Sequence, residues 1–197
     1  MDPNARLSTV KYLKILFWIS IASLVRVALT GVLILGIGQW IDHGITLCKV
    51  FCLFRLAESR SRYSQAAKLL SVSLALDVAA DLLVLVRYFH IELLFWLQYL
   101  LPAIAGVLLF VAMFIECGEH GRLAVDADPA FPRKWNMLCL ARIAVIAVSY
   151  PCAYLATNLL MSVPVAGTVV MYLPAVAGGL LTLVYLEYLH RTIRYLE

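Results

Sequence analysis

Between Glu92 and Glu116 the chain carries no charged side chain, and between Arg142 and Glu187 it again carries none. Such runs constrain the fold more than any other feature. Roughly 20 helical residues cross a hydrocarbon core about 30 Å thick, and in lipid only helices and closed barrels satisfy their own backbone groups. Hydrophobic residues make up 63% of the 197 and charged residues 14%, against roughly 45–50% and 25% in soluble domains. A soluble fold could not bury this much apolar surface. The expected class is therefore an all-α, polytopic integral membrane protein, with residues 1–197 forming a single transmembrane domain.

An internal repeat refines this expectation. Leu101-Pro102-Ala103-Ile104-Ala105-Gly106-Val107-Leu108-Leu109 returns about 72 residues later as Leu173-Pro174-Ala175-Val176-Ala177-Gly178-Gly179-Leu180-Leu181. Each copy leads an apolar run to a charged exit. A fainter copy opens at Gly44-Ile45-Thr46-Leu47 and closes with Arg55, Glu58, Arg60 and Arg62. Hydropathy divides the chain into six transmembrane helices at about 12–38, 41–57, 67–88, 93–117, 135–160 and 168–190. With the repeat they form three tandem helical hairpins at approximately 12–62, 67–122 and 135–194. The run Tyr12 to Gly38 is too long for a signal-peptide core, so the first helix is expected to be retained. Gln39 to Gly44 is a short polar break, and Gly118 to Lys134, with Asp126, Asp128, Pro129 and Pro132, is the clearest loop. The segments 91–101 and 165–173 precede or surround prolines and fit either an interfacial turn or a helical continuation. Glycines after each proline fit close helix packing.

Orientation follows from the basic residues. Arg6, Lys11, Lys14, Arg55, Arg60, Arg62, Lys68, Arg122, Arg133, Lys134, Arg191 and Arg194 fall on one side of the six-span arrangement, and Arg87 falls on the other. Both termini are thus expected in the cytoplasm, with the protein in the plasma or inner membrane. The net charge of +4 is a topology signal, and no basic surface interleaved with aromatics points to nucleic acid.

Ionisable residues deep in a span cost at least about 2.5–3.5 kcal/mol at the bilayer centre and mark candidate sites. Arg26, Lys49, Asp77, Asp81 and Arg142 meet that description. Asp77 and Asp81 share a helix face with Ser73. One reading is a set of buried ion pairs, Arg26 with Asp77 or Asp81 and the other cations with the remainder. Another is a polar cavity that binds an ion, a proton or an anionic ligand. Glu116, Glu119, His120, Glu187 and His190 gather at the ends of helices 4 and 6, where solvated helix ends explain them. Glu116, His120, Glu187 and His190 are weak metal candidates, since a carboxylate-bridged site needs Glu-x-x-His twice plus two further Glu. The cysteines, Cys48 and Cys52 included, are read as buried small hydrophobes.

No cofactor is expected, and no H-E-x-x-H, G-x-S-x-G or phosphate-binding glycine loop is present. A membrane-embedded enzyme is thus the least favoured class. The leading expectation is a small transporter or channel for an ion or small polar solute, lined by Asp77, Asp81, Arg26, Lys49 and Arg142. The alternative is a non-catalytic accessory, sensory or scaffold subunit that binds another membrane protein or a second copy of itself.

Overall fold

The computed structural model describes residues 3–29, 37–86 and 94–197. Among them are six helices: α1 Pro3–Ala28, α2 Ile37–Leu56, α3 Arg62–Val86, α4 Leu94–Leu123, α5 Phe131–Ser162 and α6 Pro164–Leu196. Three of these, α4, α5 and α6, contain segments long and apolar enough to cross a membrane, with mean hydropathies of 2.4, 1.8 and 2.0. They mark the protein as membrane-associated. Arg26, Asp42, Lys49, Asp77 and Asp81 all lie on α1–α3, which lowers the apolar content of those helices.

Each helix packs against its sequence neighbours, and α1 closes the ring against α6, while α4 also touches α6 across the interior. Lys14 Nζ pairs with Glu197 at 2.7 Å, and Arg6 Nε donates to the carbonyl of Leu196. These contacts bring the start of α1 and the end of α6 to the same end of the ring. The α2–α3 turn lies there too, tied to the end of α4 by Arg60 Nη2, which donates to the Arg122 carbonyl at 3.0 Å. We call this the basic end.

The basic end also holds the core. Leu13 and Leu16 of α1, Leu53 and Leu56 of α2, Tyr63 of α3, Phe131 and Trp135 of α5 and Leu189 of α6 are fully buried there. Among the described residues, the buried apolar side chains toward the opposite end are alanines: Ala80, Ala105 and Ala156. Large apolar side chains such as Trp18, Phe51, Trp96, Val107, Phe114, Tyr154 and Leu180 face outward. That is the inverse of a soluble surface and suits contact with acyl chains.

The helices extend past several expected boundaries. α4 continues to Leu123, so the loop expected at Gly118 to Lys134 narrows to 124–130. Gln39 to Gly44 is the first part of α2 and makes no break. Residues 94–101 and 165–173 are helical, with Pro102 and Pro174 inside α4 and α6. Polar residues in the sequence suggest chain reversals, but a helix continues through them wherever neighbouring helices supply partners. The expected extension of helix 1 beyond residue 29, together with Arg87, lies outside the described residues.

The α4–α5 connection is held by Asp128, which accepts from the Ala130 N–H at 2.9 Å and from Lys134 Nζ at 2.8 Å. These bonds to the ionised form hold its carboxyl below the usual carboxylate range. The same connection brings α4 and α5 very close. A Cβ built on Gly121 would lie 2.7 Å from the backbone Cα of Pro132 and 3.3 Å from Trp135 Cβ. Gly121→Ala should therefore cost about 1–3 kcal/mol through overpacking. Detergent unfolding should show it, whereas Gly106→Ala, with nothing within 4 Å, should leave stability unchanged or slightly higher. Equal midpoints for the two variants would refute this account of the α4–α5 approach. The repeat glycines play a different part from the close packing expected: Cβ atoms on Gly178 and Gly179 would make only ordinary contacts at 3.9 Å, with Val145 Cγ1 and Leu24 Cδ1.

Candidate functional site

Five helices contribute to a buried polar network at the basic end. Glu116 of α4, 2% exposed, is its centre. Lys49 Nζ of α2 lies 2.7 Å from Glu116 Oε2, and the Tyr185 hydroxyl of α6 donates to Oε1 at 2.9 Å. His120, one helical turn on, places Nε2 at 3.5 Å from the same Oε1 and Nδ1 at 2.7 Å from the Tyr63 hydroxyl of α3. One assignment fits both ring nitrogens of His120: the Tyr63 hydroxyl donates to Nδ1, and an Nε2–H points toward Glu116. Trp135 of α5 covers His120 with ring centroids 5.1 Å apart. Its indole Nε1 is buried without a hydrogen-bond partner.

A neighbouring pair finishes the basic end. Glu119, also buried, accepts from Arg122 Nη1 at 2.9 Å and lies 3.7 Å from Arg60 Nη1. Glu116, Glu119 and His120 are thus interior groups, which corrects the expectation of solvated helix ends. Glu187 and His190 do stay outside: Glu187 accepts from Arg191 Nε at 2.7 Å, and exposed His190 sits against Phe17. The four weak metal candidates therefore divide between two locations. Among the described residues, no three His, Cys, Asp or Glu side chains come together as metal ligands.

A second polar tier lies toward the opposite end. Arg26 of α1 pairs with Asp42 of α2, and His43 Nε2 of α2 lies 2.8 Å from Asp81 Oδ2 of α3. Asp77 is half-buried close to His43 and Asp81. The pairing differs from the one expected. Arg26 takes Asp42 rather than Asp77 or Asp81, and Lys49 takes Glu116. α1 packs on α2, so the carboxylate within reach of Arg26 belongs to the segment taken for a polar break.

Between the tiers a cavity of about 220 Å³ opens among α1, α5 and α6. Its wall includes Ser23 and Leu24 of α1, Arg142 and Val145 of α5, and Gly178, Gly179 and Thr182 of α6. Arg142 lies about 16 Å from the start of α5 at 1.5 Å per residue. Its guanidinium carbon sits 4.8 Å from the centroid of the Tyr185 ring, so it borders both the network and the cavity. No carboxylate among the described residues lies within ion-pair distance of it. A cation–π contact is worth about 0.5–2 kcal/mol, and the five N–H donors of the guanidinium find no acceptor among the described residues.

All five interior positions singled out in the sequence, Arg26, Lys49, Asp77, Asp81 and Arg142, face polar groups or the cavity, but they fall into three places instead of one site. Tyr63, Tyr185 and Trp135 escaped notice because aromatics in apolar helices carry no polar signal of their own. Lys49 offered the clue to Glu116: a cation at that depth requires a carboxylate at the same level. Comparison with protein-family models, with curated proteins and with solved structures finds no match.

Proposed function

We propose that this chain is a six-span inner-membrane bundle, both termini cytoplasmic, built as three tandem hairpins, that moves an ion or small polar solute. The observation that carries this reading is the layered polar interior. The Arg26–Asp42 and His43–Asp81 pairs near one end, the cavity at Arg142 and the Lys49–Glu116 network near the other form successive polar stations inside an apolar ring. Ion pairs drawn away from water add little to stability even when well paired, so partly buried charges at three levels fit a path better than a fastening. The six-span arrangement rests on the basic residues at one end, and the hairpin repeat on the two Leu-Pro-Ala segments.

Stopped-flow light scattering on proteoliposomes tests this reading. After an osmotic step with glycerol, urea or potassium chloride plus valinomycin, at least one solute should enter faster than in protein-free vesicles. Asp81→Asn should remove that increment while the protein stays folded in the bilayer. Recovery rates identical to empty vesicles for all three solutes would turn the assignment toward the second reading, an accessory or scaffold subunit. What favours that reading is that the carboxylates Asp42, Asp81 and Glu116 already have partners.

A further inference from the structure

We infer that the cavity among α1, α5 and α6 is a binding site for a small monocarboxylate, held by Arg142. The inference rests on the transport reading and names its ligand class. Interior cations elsewhere are matched: Lys49 by Glu116 and Arg26 by Asp42. Arg142 has the face of Tyr185 on one side and the cavity on the other. It makes no hydrogen bond or ion pair with any described residue. A guanidinium presents parallel N–H donors that match the two oxygens of a carboxylate, so a carboxylate supplies both the missing charge and the missing acceptors. Ser23 adds a hydroxyl to the same wall.

The rest of the wall sets the body of the ligand. Leu24, Val27, Val145, Ile146 and Leu181 are apolar, and a phosphate dianion would leave most of its oxygens unmet against them. An engineered apolar cavity of about 150 Å³ accepts benzene. The 220 Å³ here accommodates a phenyl-sized body together with its carboxylate. Gly178 and Gly179 keep that volume open, because each could carry a methyl group at ordinary contact distance. The space beside them is thus room for a ligand, whereas close helix contact would have closed it.

Titration calorimetry on the whole protein in delipidated micelles tests the site with sodium benzoate as probe and benzamide as its neutral counterpart. Benzoate should bind saturably, and benzamide about tenfold or more weakly, the factor that loss of a charge-assisted hydrogen bond brings. Arg142→Gln should lower benzoate affinity by a similar factor and leave benzamide unchanged. Gly178→Leu, which fills the cavity without altering its charge, should abolish both. Mass spectrometry of organic extracts separates the sources of the carboxylate. A fatty acid at one per chain, lost in Arg142→Gln, would identify a lipid ligand, and its absence a free acid. No saturable benzoate binding, or equal affinity in Arg142→Gln, overturns the site. Solute entry unchanged in Arg142→Gln proteoliposomes alongside such a failure would leave the transport reading standing without it.

Discussion

Replacing Glu116 with alanine is expected to destabilise the protein by about 3–5 kcal/mol, the cost of removing one member of a buried ion pair. The carboxylate receives Lys49 on one oxygen and Tyr185 on the other, and the Lys49 side chain is only 21% exposed. Without Glu116 an ammonium group remains in the interior with no counter-charge. The Tyr185 hydroxyl loses its close acceptor, and His120 loses the group that Nε2 faces. Unfolding in mixed micelles monitored by circular dichroism should show the loss. Glu116→Gln, which keeps an acceptor for Tyr185, should fall between alanine and wild type. Adding Lys49→Met to Glu116→Ala should recover stability, because the stranded cation is then gone. Strict additivity of those two changes would mean that the residues are not coupled.

Trp135→Ala should cost a comparable amount, about 3–5 kcal/mol for a buried large aromatic, by a different route. Trp135 is fully buried and stands edge-on to Tyr185 at 5.3 Å, to Tyr188 at 5.8 Å and to Phe131 at 6.3 Å. Removing it opens a cavity at the meeting point of α4, α5 and α6 and uncovers His120. Trp135→Phe is the informative companion. The indole N–H has no partner, so phenylalanine forfeits no hydrogen bond and should retain most of the stability. If phenylalanine proves as damaging as alanine in the same unfolding assay, the N–H has a partner in solution and the packing account of this residue fails.

The number of helices was legible in the sequence because uncharged runs and basic reversals are properties of composition, which survives without knowledge of neighbours. The ends of the helices were not. Glu116, Glu119 and His120 look like an exit to water when α4 is considered alone. In the ring they are met by Lys49 of α2, Arg60 of the α2–α3 turn and Tyr63 of α3, and the helix carries on to Leu123. Pairing was obscured for the same reason. Depth along a helix can be counted from sequence, but azimuth and neighbour cannot, so Arg26 was matched by depth to Asp77 and Asp81 while Asp42 on the adjoining helix lay within reach. That Asp77 and Asp81 share a face follows from the helical period alone. His43, the actual partner of Asp81, stands in a stretch whose polarity suggested a turn.

The uneven distribution of the core carries a thermodynamic consequence. Large side chains such as Trp135, Tyr63 and Leu56 interlock at the basic end, while the described buried residues toward the other include Ala80, Ala105 and Ala156. Local opening free energy follows buried apolar contact, so the helix segments around this core should be the last to exchange their amide hydrogens. The ring resembles a set of staves hooped at one end. The hooped end should separate only with global unfolding, so the Lys49–Glu116 knot should stay tied through any smaller opening.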